Sequence, residues 1–352
     1  MDALPPVPAT RTTCPYCGVG CGVLARPDGA PVAGDPAHPA NRGRLCSKGA
    51  SLAETIGMED RLLHPEVNNK RASWDAALDA VAEGFRRARA SHGADGTALY
   101  VSGQLLTEDY YAANKLAKLV LGTANIDSNS RLCMASAVAA HTRSFGEDIV
   151  PGIYADLEEA DLVVLVGSNL AWCHPVLHQR LLAAQAARPA MRVVVVDPRR
   201  TASCEGSAMH LALRPGSDVA LFAALLVHLH DGGHADQAFL AARTAGLAEA
   251  LSAARPVAAE AAALTGLAQN EIDAFCALFA ATPRAVTLWS QGVNQSSAGT
   301  DKANAILNVH LLTGRIGVPG AGPFSITGQP NAMGGREVGA LSNMLASHLR
   351  WD

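Results

Sequence analysis

Residues 161–169 read DLVVLVGSN: five apolar residues in a row, from Leu162 to Val166, that break at once into Gly, Ser and Asn. A strand with one wet face alternates apolar and polar residues, whereas an unalternated run of this length belongs to a strand covered on both faces. The same form recurs to either side, in TALYVSG (97–103), RVVVVDPRR (192–200), HLALRPGSD (210–218) and AVTLWSQGVNQ (285–295). Helical patterns separate the runs: TEDYYAANKLAKLVLG (107–122), HPVLHQRLLAAQAA (174–187) and DVALFAALLVHLH (218–230). Strands joined through helices predict a parallel sheet in a doubly wound α/β architecture, which takes its ligands at the carboxyl ends of the strands. Upstream, SWDAALDAVAEGFRRARASHG (73–93) spaces Trp74, Leu78, Val81 and Phe85 as one helix face, with Ser73 as N-cap and Gly93 beyond the end.

The strand endings carry the first functional signal. VSGQ (101–104), VGSN (166–169), VDPRRT (196–201), RPGSD (214–218) and SQGVNQ (290–295) all pass into residues that let a backbone approach a phosphate or nucleotide and bond to it. One such ending is ordinary loop chemistry. Five in succession point to a long cofactor that contains a nucleotide. The first strand is not followed by G-x-G-x-x-G, and no GKS or GKT motif appears, so neither an ordinary NAD site nor a P-loop is predicted.

The chain has 352 residues, enough for two or more domains around sizeable cores. Its 28 basic and 32 acidic residues give a net charge of −4, without the basic blocks of a nucleic-acid binder. Small-molecule and protein partners are expected. MDALPPVPATRT at the start has neither a charged-then-apolar leader nor a twin arginine, and no apolar run could span a bilayer. A cytoplasmic location with no membrane attachment is therefore expected, and eight cysteines in that reducing compartment point to metal rather than to disulfides.

Four of those cysteines fall in the Gly- and Pro-rich first sixty or so residues. Cys14, Cys17 and Cys21 lie in CPYCGVGC, and Cys46 in GRLCSKG. Three thiols close together plus one distant thiol is an arrangement used by iron–sulfur clusters, although the spacing matches neither common ferredoxin pattern; structural zinc more often takes two ligand pairs. Spacing alone leaves both open. The glycines at 18, 20 and 22 suit a tight wrap with backbone N–H groups turned toward sulfur. A fifth cysteine, Cys133, stands where DSNSRL opens into the helical run MASAVAAHTRSFG. Free cysteine is usually a core residue, yet a thiolate at a loop-to-helix junction also ligates soft metals.

CPYCGVGC with GRLCSKG resembles the amino-terminal module of the molybdopterin oxidoreductases, a group that includes formate dehydrogenases and bacterial nitrate reductases. NSRLCMAS (129–136) resembles the segment of the nitrate reductase branch whose cysteine binds molybdenum, and residues 289–339 are similar to cytoplasmic assimilatory nitrate reductases. The resemblance runs over essentially the whole chain. It implies a 4Fe-4S cluster on Cys14, Cys17, Cys21 and Cys46, with Lys48 between cluster and pterin. It implies a molybdenum bis-molybdopterin guanine dinucleotide with Cys133 on the metal, and Met134 where formate dehydrogenases carry a histidine. By position, Gln104, Asn129, Gly167, Ser168, Asn169, Asp197, Arg199, Thr201, Gly216, Ser217, Asp218, Gln291 and Gln295 would contact the dinucleotides. Arg315 and Arg336 are candidates for attracting an anion.

The expected organisation is a cluster module over 1–62 and a molybdopterin oxidoreductase α/β region over 63–352. The expected reaction is reduction of nitrate to nitrite, fed by ferredoxin, flavodoxin or an NADH-linked flavoprotein. A formate dehydrogenase-like enzyme and a non-catalytic iron–sulfur electron-transfer subunit are the alternatives. Catalytic chains of the family are longer and add a carboxy-terminal β-barrel domain that nothing here matches. The last residues, GALSNMLASHLRWD, stop within an apolar helical pattern, so the sequence reads as a fragment.

Overall fold

The computed structural model describes residues 8–27 and 29–349. Residues 1–7, which carry part of the reading of a missing leader, and residues 350–352, the end of the last apolar pattern, lie outside the described residues. The chain divides into two compact units, Met1–Arg131 with Gln329–Asp352, and Leu132–Gly328.

In the first unit, β1 (Thr10–Thr13), β2 (Gly22–Ala25) and β3 (Ala33–Gly34) form an antiparallel sheet, followed by the short helix α1 (Ser47–Ala50). Helix α2 (Trp74–His92) starts as its sequence predicts: the Ser73 hydroxyl accepts from the Ala76 N–H at 3.2 Å. Its apolar stripe does not enter a core, since Trp74, Leu78 and Val81 stay 68%, 60% and 56% exposed. Strand β4 (Leu99–Val101) pairs in parallel with β5 (Ile126–Ser128), so the TALYVSG run belongs to a separate two-stranded sheet. Between them α3 (Thr107–Lys115) continues as a π-helical turn, Leu116–Leu121.

The apolar pattern at the end of the chain is not helical; the described part holds one short 3₁₀ turn, Ala346–His348. Lys118 explains why. Its ammonium donates to the carbonyls of Gly339 at 2.8 Å, Leu341 at 3.3 Å and Met344, which a continuing helix would keep for its own N–H groups.

In the second unit, helix α4 (Ser130–Phe145) leads to a five-stranded, wholly parallel sheet. Its strands are β6 (Leu162–Val166), β7 (Arg192–Val196), β8 (Met209–Leu211), β9 (Ala285–Trp289) and β10 (Gly322–Ser325). They lie in the order β8-β7-β6-β9-β10, with Leu165 opposite Val195 on one side and Leu288 on the other. Every residue of β6 and β9 is buried, as the unalternated runs require. GPFS at β10, with one large apolar residue among Gly and Pro, offers no such run.

The chain moves outward from β6 to β8, then returns to lay β9 against the other edge of β6. That reversal is a topological switch point, where the carboxyl ends of two strands diverge and leave a crevice. Two glycines set it. Gly167 ends β6 at φ +52°, and a Cβ there would stand 2.8 Å from the Gly292 Cα; a Cβ on Gly292 would stand 2.6 Å from the Gly167 Cα. The Gly292 N–H donates to the Gly167 carbonyl at 3.0 Å. Gly146 also has a positive φ, +79°, but faces open space. Gly167→Ala is therefore expected to lower unfolding free energy by about 3 kcal/mol or more, from backbone overlap added to left-handed strain. Gly146→Ala should cost only about 1–2 kcal/mol. Urea unfolding of the two variants checks the difference, and equal losses would contradict it.

Candidate functional site

The first unit gathers the four amino-terminal cysteines. Cys14, Cys17 and Cys21 occupy the loop between β1 and β2, which is closed by the Cys14 N–H to the Cys21 carbonyl at 2.8 Å and by Gly20 at φ +65°. Asn41, fully buried, brings up the fourth: its Oδ1 accepts from the Gly22 N–H at 2.9 Å, and its Nδ2 donates to the Gly22 and Arg44 carbonyls at 2.9 and 2.8 Å. Cys46 follows directly and leads into α1, where a Cβ on Gly49 would touch the Cys14 sulfur at 4.0 Å.

All eight cysteines are free thiols. Burial pushes the Cys14 and Cys17 thiols up, and pushes Cys21 up to about 12, with the charges of Cys17, Cys14 and Cys46 adding to the effect. Hydrogen bonds from the Tyr16 and Val19 backbones oppose this at Cys14 and Cys17, as does the charge of Lys48. Among the described residues, no three Cys, His, Asp or Glu side chains gather on one ion-sized position. Four thiols whose charges act on one another form one donor set, which both a 4Fe-4S cluster and a tetrahedral zinc would require.

Three further predicted residues lie in this unit. Asn129 holds the VSGQ loop, its Oδ1 accepting from the Gly103 N–H at 2.7 Å, next to the exposed Gln104. Arg336 is half-buried on the helix Ala332–Glu337.

In the second unit a cavity of about 480 Å³ opens at the switch point. Eight of the predicted residues line it: Gly167, Asn169, Asp197, Arg199, Gly216, Asp218, Gln291 and Gln295. Ser168 and Thr201 stand behind the same strand ends, and their hydroxyls are buried with no hydrogen-bond partner. Two orphaned hydroxyls beside a cavity walled by glycine backbone, amides and charged groups suit a polar, phosphate-containing ligand. Ser217 is turned away, its hydroxyl donating to the Arg214 carbonyl at 2.7 Å.

Cys133 sits in the first turn of α4, 5% exposed, with the Gln291 amide on its sulfur at 3.1 Å and the Thr327 hydroxyl at 3.9 Å. Met134 packs against the main core. Arg315 does not line the cavity: it is buried, its guanidinium 4.6 Å from the Phe279 ring centre, and burial pushes its pKa down to about 10. The remaining cysteines and a neighbouring histidine divide between core and cavity. Cys204 and Cys276 are core residues, His174 is buried against the Thr327 carbonyl at 2.7 Å, and Cys173 lines the cavity.

Sequence reasoning missed Lys302. The helices α5 (Pro175–Ala187), α6 (Asp218–Asp231), α7 (Gln291–Asn294) and α8 (Gly299–Leu312) belong to the second unit, and Lys302 lies on α8. Only 3% exposed, it lines the cavity and pairs with Asp218 at 2.6 Å. Its signal was present: a lysine four residues before Ile306, on the apolar face of a helix.

The sequence profile of the molybdopterin oxidoreductase family matches residues 61–350, and that of the molybdopterin oxidoreductase Fe4S4 domain matches residues 8–57. The chain is 55% identical over 347 residues to a nitrate reductase of Klebsiella oxytoca, covering 97% of this chain and 40% of that protein. It is 41% identical to a nitrate reductase of a Synechocystis species, covering 99% and 51%, and 38% identical to a periplasmic nitrate reductase of Desulfovibrio desulfuricans, covering 95% and 47%. The chain thus spans about two-fifths to a half of the curated relatives it matches. Among solved structures, the acetylene hydratase from Pelobacter acetylenicus superposes with a TM-score of 0.78 at 23% identity, covering 88% of this chain and 44% of that one, a likeness of fold.

Removing one partner of the buried Lys302–Asp218 pair leaves the other charge stranded. Lys302→Met is expected to destabilise the chain by about 3–5 kcal/mol, with much of the loss recovered when Asp218→Asn is added. Urea unfolding of the single and double variants reads this, and simple additivity would contradict it.

Proposed function

Because the chain belongs to the molybdopterin oxidoreductase family, we propose that it is the cluster- and cofactor-bearing part of a cytoplasmic, assimilatory nitrate reductase. The reaction is NO₃⁻ + 2e⁻ + 2H⁺ → NO₂⁻ + H₂O. The observation that carries this reading is the 55% identity to a nitrate reductase across nearly the whole chain, with the Cys133 thiol buried beside the Gln291 amide. The division into a cluster module over 1–62 and a cofactor-binding region over 63–352 is part of the same proposal.

When bound, the 4Fe-4S cluster supplies electrons one at a time, and the molybdenum–pterin group supplies the two-electron oxygen-atom acceptor. Everything else is the protein's part. Cys14, Cys17, Cys21 and Cys46 hold the cluster in a loop whose backbone donates to sulfur, and Lys48 adds positive charge beside Cys14 and Cys17. Cys133 gives the molybdenum its protein thiolate from a buried position, next to Met134.

The switch-point cavity seats the nucleotide end of the cofactor. Gly167 and Gly216 allow close backbone approach there, Asn169, Gln291 and Gln295 bring amides, and the Asp218–Lys302 pair and Arg199 bring charge. Ser168 and Thr201 have hydroxyl capacity to spare beside it. Arg336 draws in the nitrate anion. Electrons come from ferredoxin, flavodoxin or an NADH-linked flavoprotein. Among the described residues no helix is long and apolar enough to cross a membrane.

Cys133→Ala is expected to lower nitrate reduction by dithionite-reduced methyl viologen by more than the roughly 10–100-fold that a ligand's outer partner costs, with iron content unchanged. Retained nitrate turnover in this variant would sink the assignment. Formate-dependent dye reduction by the wild-type chain would move the reading to a formate dehydrogenase.

A further inference from the structure

Helix α7 is a single turn, yet it sends two amides to two sulfurs that are adjacent in sequence. Gln291 Nε2 donates to the Cys133 sulfur at 3.1 Å, and Asn294 Nδ2 donates to the Met134 sulfur at 3.3 Å. Each amide is itself fixed from the end of β9. The Trp289 indole Nε1 donates to Asn294 Oδ1 at 3.1 Å, and the Ser290 hydroxyl donates to Gln291 Oε1. Trp289, Ser290 and Asn294 are 0%, 2% and 3% exposed, so the indole bond to Asn294 is shielded from water, while Gln291 is half-buried at the cavity wall.

The donor assignment follows from chemistry. An indole N–H can only donate, so it must meet the oxygen of Asn294, and the NH₂ group must then face Met134. A metal-bound thiolate can only accept, so Gln291 must turn its NH₂ to Cys133 while its oxygen takes the Ser290 hydroxyl.

We propose that Gln291 and Asn294 form a clamp that orients Cys133 and tunes its thiolate, making both of them positioning residues for the metal. The proposal rests on the reading of Cys133 as the metal's thiolate. It also gives Gln291 a task at the sulfur beyond contact with the cofactor. An N–H bond to a coordinating sulfur draws electron density away from the metal, favours its reduced state and raises its potential. Gln291 acts directly. Asn294 acts through Met134, one residue along the same helical turn.

The test is a redox titration of the molybdenum EPR signal in the metal-loaded chain, comparing wild type with Gln291→Met, Asn294→Leu and Cys133→Ser. Gln291→Met keeps the length of the side chain and removes the donor. It is expected to shift the midpoint of the molybdenum that is bound to more negative potential and to alter the signal's g-values, with cluster iron per chain unchanged. Asn294→Leu should produce a smaller shift of the same sign. An unmoved midpoint and unchanged signal in Gln291→Met would overturn the clamp. A molybdenum signal that is unchanged in Cys133→Ser would instead overturn the ligand reading beneath it.

A second readout needs no metal. In the ¹⁵N-labelled metal-free chain, the side-chain amide resonance of Gln291 should move in Cys133→Ala, and that of Asn294 in Met134→Leu. Resonances that stay in place would overturn the contacts themselves.

Discussion

The second unit turns on one backbone contact, the crossing of Gly167 and Gly292. Two strand ends meet there with no room for a Cβ on either side, joined by the Gly292 N–H on the Gly167 carbonyl at 3.0 Å. The contact draws the first turn after β9 against the end of β6, at the place where the strand order reverses. The cavity, the direction of α7 and the delivery of the Gln291 and Asn294 amides to sulfur all follow from that approach. A side chain at either position would separate the strand ends and move α7 away from α4.

What was legible in the sequence was what burial on both faces imposes. The β6 run is wholly apolar and β9 is interrupted only by Thr287, whose hydroxyl is paired with His310 Nε2 at 2.8 Å, so both stood out, and their polar endings marked the cavity wall. Residues whose role depends on a distant partner were not legible. Asn41 joins two loops of the cluster module through three hydrogen bonds to backbone, and nothing local in NRGRLC announces it. Lys302 has meaning only beside Asp218. Arg315 is an anion candidate by its charge and its place in a Gly- and Asn-rich segment, but its ring and carbonyl contacts at Phe279 make it a packing residue. The terminal apolar pattern had the helical period, and Lys118, more than two hundred residues earlier in the chain, took the carbonyls that a helix would have needed.

The two sets of thiols are built on different physics. Cys14, Cys17 and Cys21 sit in a short, glycine-bearing loop, where burial and the charges of neighbouring thiols push their pKa values up. Cys133 instead is buried in a helix turn already provided with an N–H donor from Gln291. One arrangement suits a group that carries electrons, and the other suits a metal whose donor strength must be set. In both, a backbone constraint places the sulfur and a neighbouring group adjusts it.

The most direct test of this account is the iron and molybdenum content of the anaerobically purified chain, measured by mass spectrometry. The account predicts about four irons on Cys14, Cys17, Cys21 and Cys46, and about one molybdenum on Cys133. Zinc in place of iron, or full iron without molybdenum, would contradict it.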